Sequence, residues 1–97
     1  MQTKAELTRR HLIFSGLVQG VGFRWRARQA ANAVGCTGWV RNDWDGSVTM
    51  EIQGTEAAID RVIESLNRSL YIRIDRVEIK KLPTDTYESS FRTEMDY

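Results

Sequence analysis

TGWVRNDWDGSVTMEIQG, residues 37–54, is the clearest local signal in the chain. It reads as a β-hairpin: Thr37 to Asn42 makes one strand, Asp43-Trp44-Asp45-Gly46 the turn, and Val48, Met50 and Ile52 alternate with Thr49, Glu51 and Gln53 in the second strand. One face of the hairpin is expected to be buried. On its N-terminal side, Phe23, Ala27, Ala30, Ala31 and Val34 recur at three- or four-residue spacing, the stripe of an amphipathic helix, with Gly35 as its stop. On its C-terminal side, Thr55 caps a second helix, Glu56 lies near its positive end, and Ile59, Val62, Ile63 and Leu66 form its apolar stripe. Glu64 and Arg68 are a supporting pair on its wet side.

Further out, Leu12, Phe14, Gly16 and Val18 share one face of a strand from His11 to Val18. After the second helix the apolar phase slips, from Ile72 and Ile74 to Val77 and Ile79. That slip predicts irregular chain around Asp75 and a strand from about Val77 to Leu82. Phe91, Thr93 and Met95 suggest a short final strand. The order is β-α-β-β-α-β with a trailing strand. It predicts an α+β, ferredoxin-like split βαβ sandwich, with two helices on one face of an antiparallel sheet.

The chain has 97 residues, 41% of them hydrophobic, enough for one domain with a real core. A single domain over residues 9–97 is expected, with residues 1–8 as a flexible N-terminus. Fourteen basic against 13 acidic residues leave a net charge of +1, which argues against a dedicated nucleic-acid or polybasic membrane binder. Any recognition of an anion must be local. Cys36 is the lone cysteine, so no internal disulfide is possible, and no Cys/His spacing suits a zinc site. No cofactor or metal is called for. No apolar run approaches the ~20 residues that span a bilayer, and the opening segment lacks a signal-type cleavage context. A cytoplasmic monomer is expected.

The stretch GLVQGVGFRWR, Gly16 to Arg26, puts glycines immediately before arginines. A strand that turns through glycines into a helix presents amides with no intrahelical partner, and the helix dipole adds to their pull on an anion. Arg24, just inside the helix, can close over that site with a permanently charged, two-pronged donor. Two nucleotide motifs fail: the Walker pattern read from Gly16 meets Val21-Gly22-Phe23, and the dinucleotide fingerprint read from Gly20 meets Trp25 where its last glycine belongs.

The run GLVQGVGFRWRARQAANAVGCTGWVRNDWDGSV resembles the signature region of the acylphosphatase family, roughly G-x-V-Q-G-V-x-F-R, a helix, G-x-x-G-W-V-x-N and a D-G turn. It covers about a third of the chain, and the element order read above is also that family's fold. The resemblance implies hydrolysis of small acyl phosphates to a carboxylate and inorganic phosphate. It gives Arg24 the phosphate-binding role, Asn42 the water-positioning role, and Gln19, Gly20, Val21, Gly22 and Phe23 the backbone cradle. The proton of the attacking water is implied to go to the substrate's own phosphate oxygen, so no His, Cys or metal is needed.

Other residues read more plainly. Arg9, Arg10, Arg26, Arg28 and Arg41 form a solvated charged face or broaden a positive field. Trp39 packs on core or sheet, Trp25 or Trp44 can form a rim, His11 is structural, and Cys36 is a packed thiol without a partner base. SLYIRIDRV, Ser69 to Val77, departs from the family in lacking a Gly/Pro turn, and an exposed Leu70-Tyr71-Ile72 is a candidate contact surface. Trp44 is bulky for its turn. The rival functions are a non-catalytic phosphate-binding or regulatory module on the same fold, and an RNA-binding domain. The latter is disfavoured because SVTMEIQG has no aromatic platform for bases. A domain of a larger hydrogenase-maturation carbamoyltransferase is also disfavoured, with no further domain expected after Tyr97.

Overall fold

The computed structural model describes residues 6–96. Its elements are β1 (Thr8–Leu17), α1 (Phe23–Val34), β2 (Thr37–Asn42), β3 (Val48–Gly54), α2 (Glu56–Asn67), β4 (Arg73–Leu82) and β5 (Phe91–Thr93). The strands make one sheet in the order β4-β1-β3-β2-β5. Neighbours are antiparallel except β2 and β5, which run parallel with Gly38, Trp39 and Val40 opposite Phe91, Arg92 and Thr93. The trailing strand therefore makes the ferredoxin-like sheet a mixed one.

The predicted helical stripes form the core. Phe23, Ala27 and Ala31 of α1 and Ile59, Val62 and Leu66 of α2 cluster with Leu12, Phe14, Val40, Val48, Met50 and Ile52 of the sheet, and none of them is more than 2% exposed. Burying each large side chain contributes about 1.5–3 kcal/mol. Local chemistry sets the helix ends: the Thr55 hydroxyl accepts from Ala58 N at 3.1 Å, and the Gly35 and Cys36 amides close α1 on the Asn32 and Ala31 carbonyls. Such a cap is worth about 1 kcal/mol.

Tertiary pairing changes several local expectations. β1 starts at Thr8 rather than His11, because Thr8, Arg9 and Arg10 pair with Gly54, Gln53 and Ile52 whatever their polarity. Of the expected flexible segment, residues 1–5 lie outside the described residues. The irregular stretch at Asp75 is a β-bulge inside a longer strand: Ser15 pairs with Arg76 and Gly16 with Ile74, so Asp75 is the extra residue. The bulge explains the phase slip, since it lets Ile74 and Val77, three apart, both pack against the core. Gly16 is required there; a Cβ would meet Arg73 O at 2.3 Å. Ile72 is buried, which reduces the Leu70-Tyr71-Ile72 patch to two exposed side chains. Met95 lies beyond β5 and is exposed.

The second face of the hairpin is not wet. Thr49 and Gln53, on the side of β3 away from the helices, are 4% and 6% exposed. The chain after β4 covers that face: Gln53 Nε2 donates to Asp85 O at 2.9 Å and its Oε1 accepts from Asp85 N at 2.7 Å. Beside them the buried Arg9 bonds Glu88 at 2.7 Å and Glu51 at 3.1 Å, while His11 Nδ1 is 2.8 Å from Glu51. Arg9 is thus spent on a cluster that ties the 83–90 connection to the sheet and delivers β5 to its edge, correcting its reading as a solvated charge.

Burial alone would raise the Glu51 carboxyl, but the bonds from His11 and Arg9 outweigh it and hold the group below its ordinary value of 4.5. A carboxyl depressed in the folded state stabilises the fold above its unfolded value, and that contribution disappears as pH falls through the folded value. Glu51→Gln is therefore expected to cost about 1 kcal/mol at neutral pH, the scale of a screened, half-buried ionic bond. The difference from wild type should shrink as the pH is lowered through the range below 4.5. Urea unfolding at a series of pH values measures both.

Candidate active site

After β1 the chain turns through residues 18–22 into α1, with Val18 buried and Gly20 and Gly22 exposed. Both glycines have positive φ, 73° and 79°, while a Cβ on either would meet no protein atom within 4 Å. They are needed for backbone conformation rather than for room. Gly22 is the N-cap of α1 and offers no side chain, and the first bond of the helix runs from Arg26 N to Gly22 O at 3.0 Å. Among the described residues the amides from Gly20 to Trp25 donate to no protein acceptor. Donors left open at a helix N-terminus suit an anion.

The cradle is fastened to the hairpin turn by a side chain. Gln19 Nε2 donates to Asp43 O at 2.7 Å and to Ser47 O at 2.8 Å, one carbonyl on each side of the turn. The turn itself is tightly bonded. Asp43 N donates to Ser47 O at 2.9 Å, Arg41 Nε to Asp43 Oδ1 at 3.0 Å, and the Ser47 hydroxyl lies 2.6 Å from Asp45 Oδ1. The bonds from the Ser47 hydroxyl and amide hold the Asp45 carboxyl below the ordinary carboxylate range. Asn42, at the start of this turn, sits opposite Val48, and Val48 opposite Phe14, in one row across β2, β3 and β1.

One cavity of about 430 Å³ brings together Gly20, Gly22, Phe23, Arg24 and Asn42. Gln19 and Val21 do not line it: the Gln19 carboxamide is spent on the turn, and Val21 packs against the core. The Arg24 side chain is about one-third exposed, and its Nη1 donates to Asp96 Oδ1 at 2.6 Å. Sequence reasoning missed Asp96, which reaches the cavity's arginine, and Thr93, which lines the cavity, and it read Arg28, also on the lining, only as part of a charged face or positive field. No local pattern marks Asp96, because it meets Arg24 only through the placement of β5. Trp25 is on the cavity wall, two-thirds exposed, whereas Trp44 lies at the hairpin turn against the other face of the sheet.

The remaining candidates have structural partners. Arg10 pairs with Asp60 of α2 at 3.1 Å, Arg26 donates to Ser65 O at 2.7 Å, and the Arg41 guanidinium stands 5.1 Å over the Trp39 ring. Trp39 is on the sheet face away from the helices, its ring nearly perpendicular to that of His11 with the centroids 6.5 Å apart. Cys36 is buried, which pushes its thiol up to about 11, so it stays protonated at neutral pH. Among the described residues no cluster of three or more His, Cys, Asp or Glu is placed to hold a metal ion, and no helix is long and apolar enough to cross a membrane.

Comparison with known proteins gives the chain's family and fold. The family profile described as Acylphosphatase matches residues 10–93. The chain is 47% identical over 66 residues to an acylphosphatase of Bifidobacterium longum, covering 68% of each chain. It is 36% identical over 87 residues to one of Geobacillus kaustophilus, covering 89% of this chain and 93% of that one. The crystal structure of an acylphosphatase from Bacillus subtilis superposes with a TM-score of 0.81 at 28% identity, over 92% of this chain and 99% of that one. A family profile over most of the chain, relatives matched along nearly their whole length and a shared fold place this protein in the acylphosphatase family.

Proposed function

We propose that this acylphosphatase-family chain hydrolyses small acyl phosphates, with the phosphoryl group held by the amides around Gly20, Gly22 and Phe23 and by Arg24, and with attacking water aimed by Asn42. The observation that carries this is the shared cavity: open helix-start amides, a guanidinium and a carboxamide face the same space. An acyl phosphate is a mixed anhydride with a good carboxylate leaving group, so its cleavage demands mainly positioning and neutralisation of charge. Arg24 supplies the second task. Asp96 engages its Nη1, which leaves the other N–H donors of the planar fork for phosphoryl oxygens.

Asn42 is not a base, since a carboxamide takes up no proton near neutral pH. Its Oδ1 accepts a bond from water and orients it for in-line attack on phosphorus. The water oxygen bonds to phosphorus as the P–O bond to the acyl carboxylate breaks. The water's proton passes to a phosphoryl oxygen, and the products are a carboxylate and inorganic phosphate. Gln19 acts on this step indirectly, by holding the cradle against the turn that carries Asn42.

Hydrolysis of benzoyl phosphate in the presence of a chelator tests the proposal. Turnover is expected to persist without added metal and to be inhibited competitively by inorganic phosphate. Arg24→Ala and Asn42→Ala are each expected to lower kcat/KM by ~10²–10³ or more while circular dichroism and unfolding midpoints stay near wild type. Asn42→Ala should keep its affinity for inorganic phosphate, and Arg24→Ala should lose it. Wild-type turnover in Asn42→Ala removes the water-positioning role, and phosphate binding without turnover in the wild type favours a regulatory phosphate-binding module instead.

Gln19→Leu is expected to cost about 1–2 kcal/mol in stability, the scale of two carbonyls losing a donor. Its kcat should fall more than its phosphate affinity, since the amides remain while Asn42 loses its brace. Urea unfolding, initial rates and phosphate inhibition constants check the three parts.

A further inference from the structure

Arg28 also lines the cavity, although nothing in the chemistry above employs it. It lies one helical turn beyond Arg24 on α1. The i,i+4 spacing places the two side chains on one face, with their backbone positions about 6 Å apart along the axis. The state of its charge distinguishes it. Ion pairs or carbonyl bonds engage the other arginines of the described residues, with the exception of Arg61 on the exposed side of α2. Arg28 has no hydrogen bond or ion pair among the described residues, and neither Arg24 nor Asn32, its i±4 neighbours, is acidic. Inside the cavity Arg24 is already committed, to Asp96 and to the phosphoryl group. Arg28 is thus the cavity's uncommitted positive charge.

Resting on the acyl-phosphate reading above, we propose that Arg28 selects the acyl group: the preferred substrates are acyl phosphates whose acyl part carries a second negative charge several ångströms from phosphorus. A neutral acyl group leaves the Arg28 guanidinium solvated and unused. An acyl group ending in a carboxylate or a phosphate meets it as a planar, bidentate partner, while the exposed Trp25 ring and Thr93 flank the carbon portion. The cavity is open to solvent, so the contact is worth a modest factor in kcat/KM, roughly two- to fivefold, and salt weakens it.

Matched substrates test this: benzoyl phosphate, 3- and 4-carboxybenzoyl phosphate, and the uncharged 4-carbamoylbenzoyl phosphate, with a phosphonomethyl-substituted benzoyl phosphate to separate carboxylate from phosphate-like tails. Wild-type enzyme is expected to favour a charged ring over benzoyl phosphate by roughly two- to fivefold at low salt, with the preference falling as salt is raised. The carbamoyl compound should behave like benzoyl phosphate. Arg28→Gln should bring the ratio to one or below with benzoyl phosphate turnover unchanged, Arg28→Glu should invert it, and Arg28→Lys should restore part of it. A ratio that is the same in wild type and Arg28→Gln, or a wild type with no preference, overturns the role of Arg28 alone. No turnover of any of these substrates overturns the acyl-phosphate reading, and this inference with it.

Discussion

The register that sets Phe14, Val48 and Asn42 in one row across β1, β3 and β2 is the constraint on which the site depends. β1 leads within a few residues into the glycine turn, and β2 ends on Asn42. Pairing both strands to β3 therefore brings the cradle and the carboxamide to the same end of the sheet. A slip of one residue in the β2–β3 ladder would turn Asn42 to the opposite face, because side chains alternate along a strand. The core enforces the register. Leu12 and Phe14 on β1, Val40 on β2 and Met50 and Ile52 on β3 are fully buried, and a slipped strand would bring neighbours such as His11, Arg41, Thr49 or Glu51 into their places. Functional geometry and apolar burial are consequences of one alignment.

A second alignment brings up the other wall of the cavity. β4 and β5 follow one another in the chain but lie at opposite edges of the sheet, so the chain cannot join them by a tight turn and must cross the sheet. The crossing segment is anchored by polar bonds rather than apolar packing: Gln53 grips Asp85 from both sides, and Arg9 holds Glu88. Only with that segment in place do Thr93 and Asp96 arrive beside Arg24. The buried Arg9 would be costly without its carboxylates, since an unpaired charge out of water is strongly destabilising. Cluster and crossing segment hold each other in place.

What was legible in the sequence follows the same division. The helices, the hairpin and the cradle were readable because each is set by neighbours within about seven residues: the three- and four-residue stripes, the Thr55 cap, the glycines before Arg24. The acidic residue on Arg24 was not, since it is 72 positions away. Arg9 was misjudged for the same reason. In composition it is one more surface cation, but its partners lie 42 and 79 positions along the chain. Asp75 shows a subtler case, in which the local signal was real and its interpretation was not. The apolar phase does slip there, yet a ladder can absorb one extra residue and continue, so the strand runs through. Gln19 belongs with the cradle in sequence, but its side chain serves the turn across the way.

The proposed site lets a chain of net charge +1 hold a doubly charged phosphoryl group through short-ranged recognition. Arg10, Arg41, Arg73, Arg76 and Arg92 each have a carboxylate oxygen within about 3.3 Å, so their fields largely cancel before the screening length of about 8 Å. Backbone amides at the front of α1 add positive potential without adding net charge. They are fixed in direction by the fold, so they need no reorganisation when an anion arrives. In that proposed site Arg24 keeps Asp96 on Nη1 and turns its other N–H donors to the incoming phosphoryl group. In the proposed site a fixed set of dipoles thus sets the location of the anion, and the side chains around them decide which anion is held.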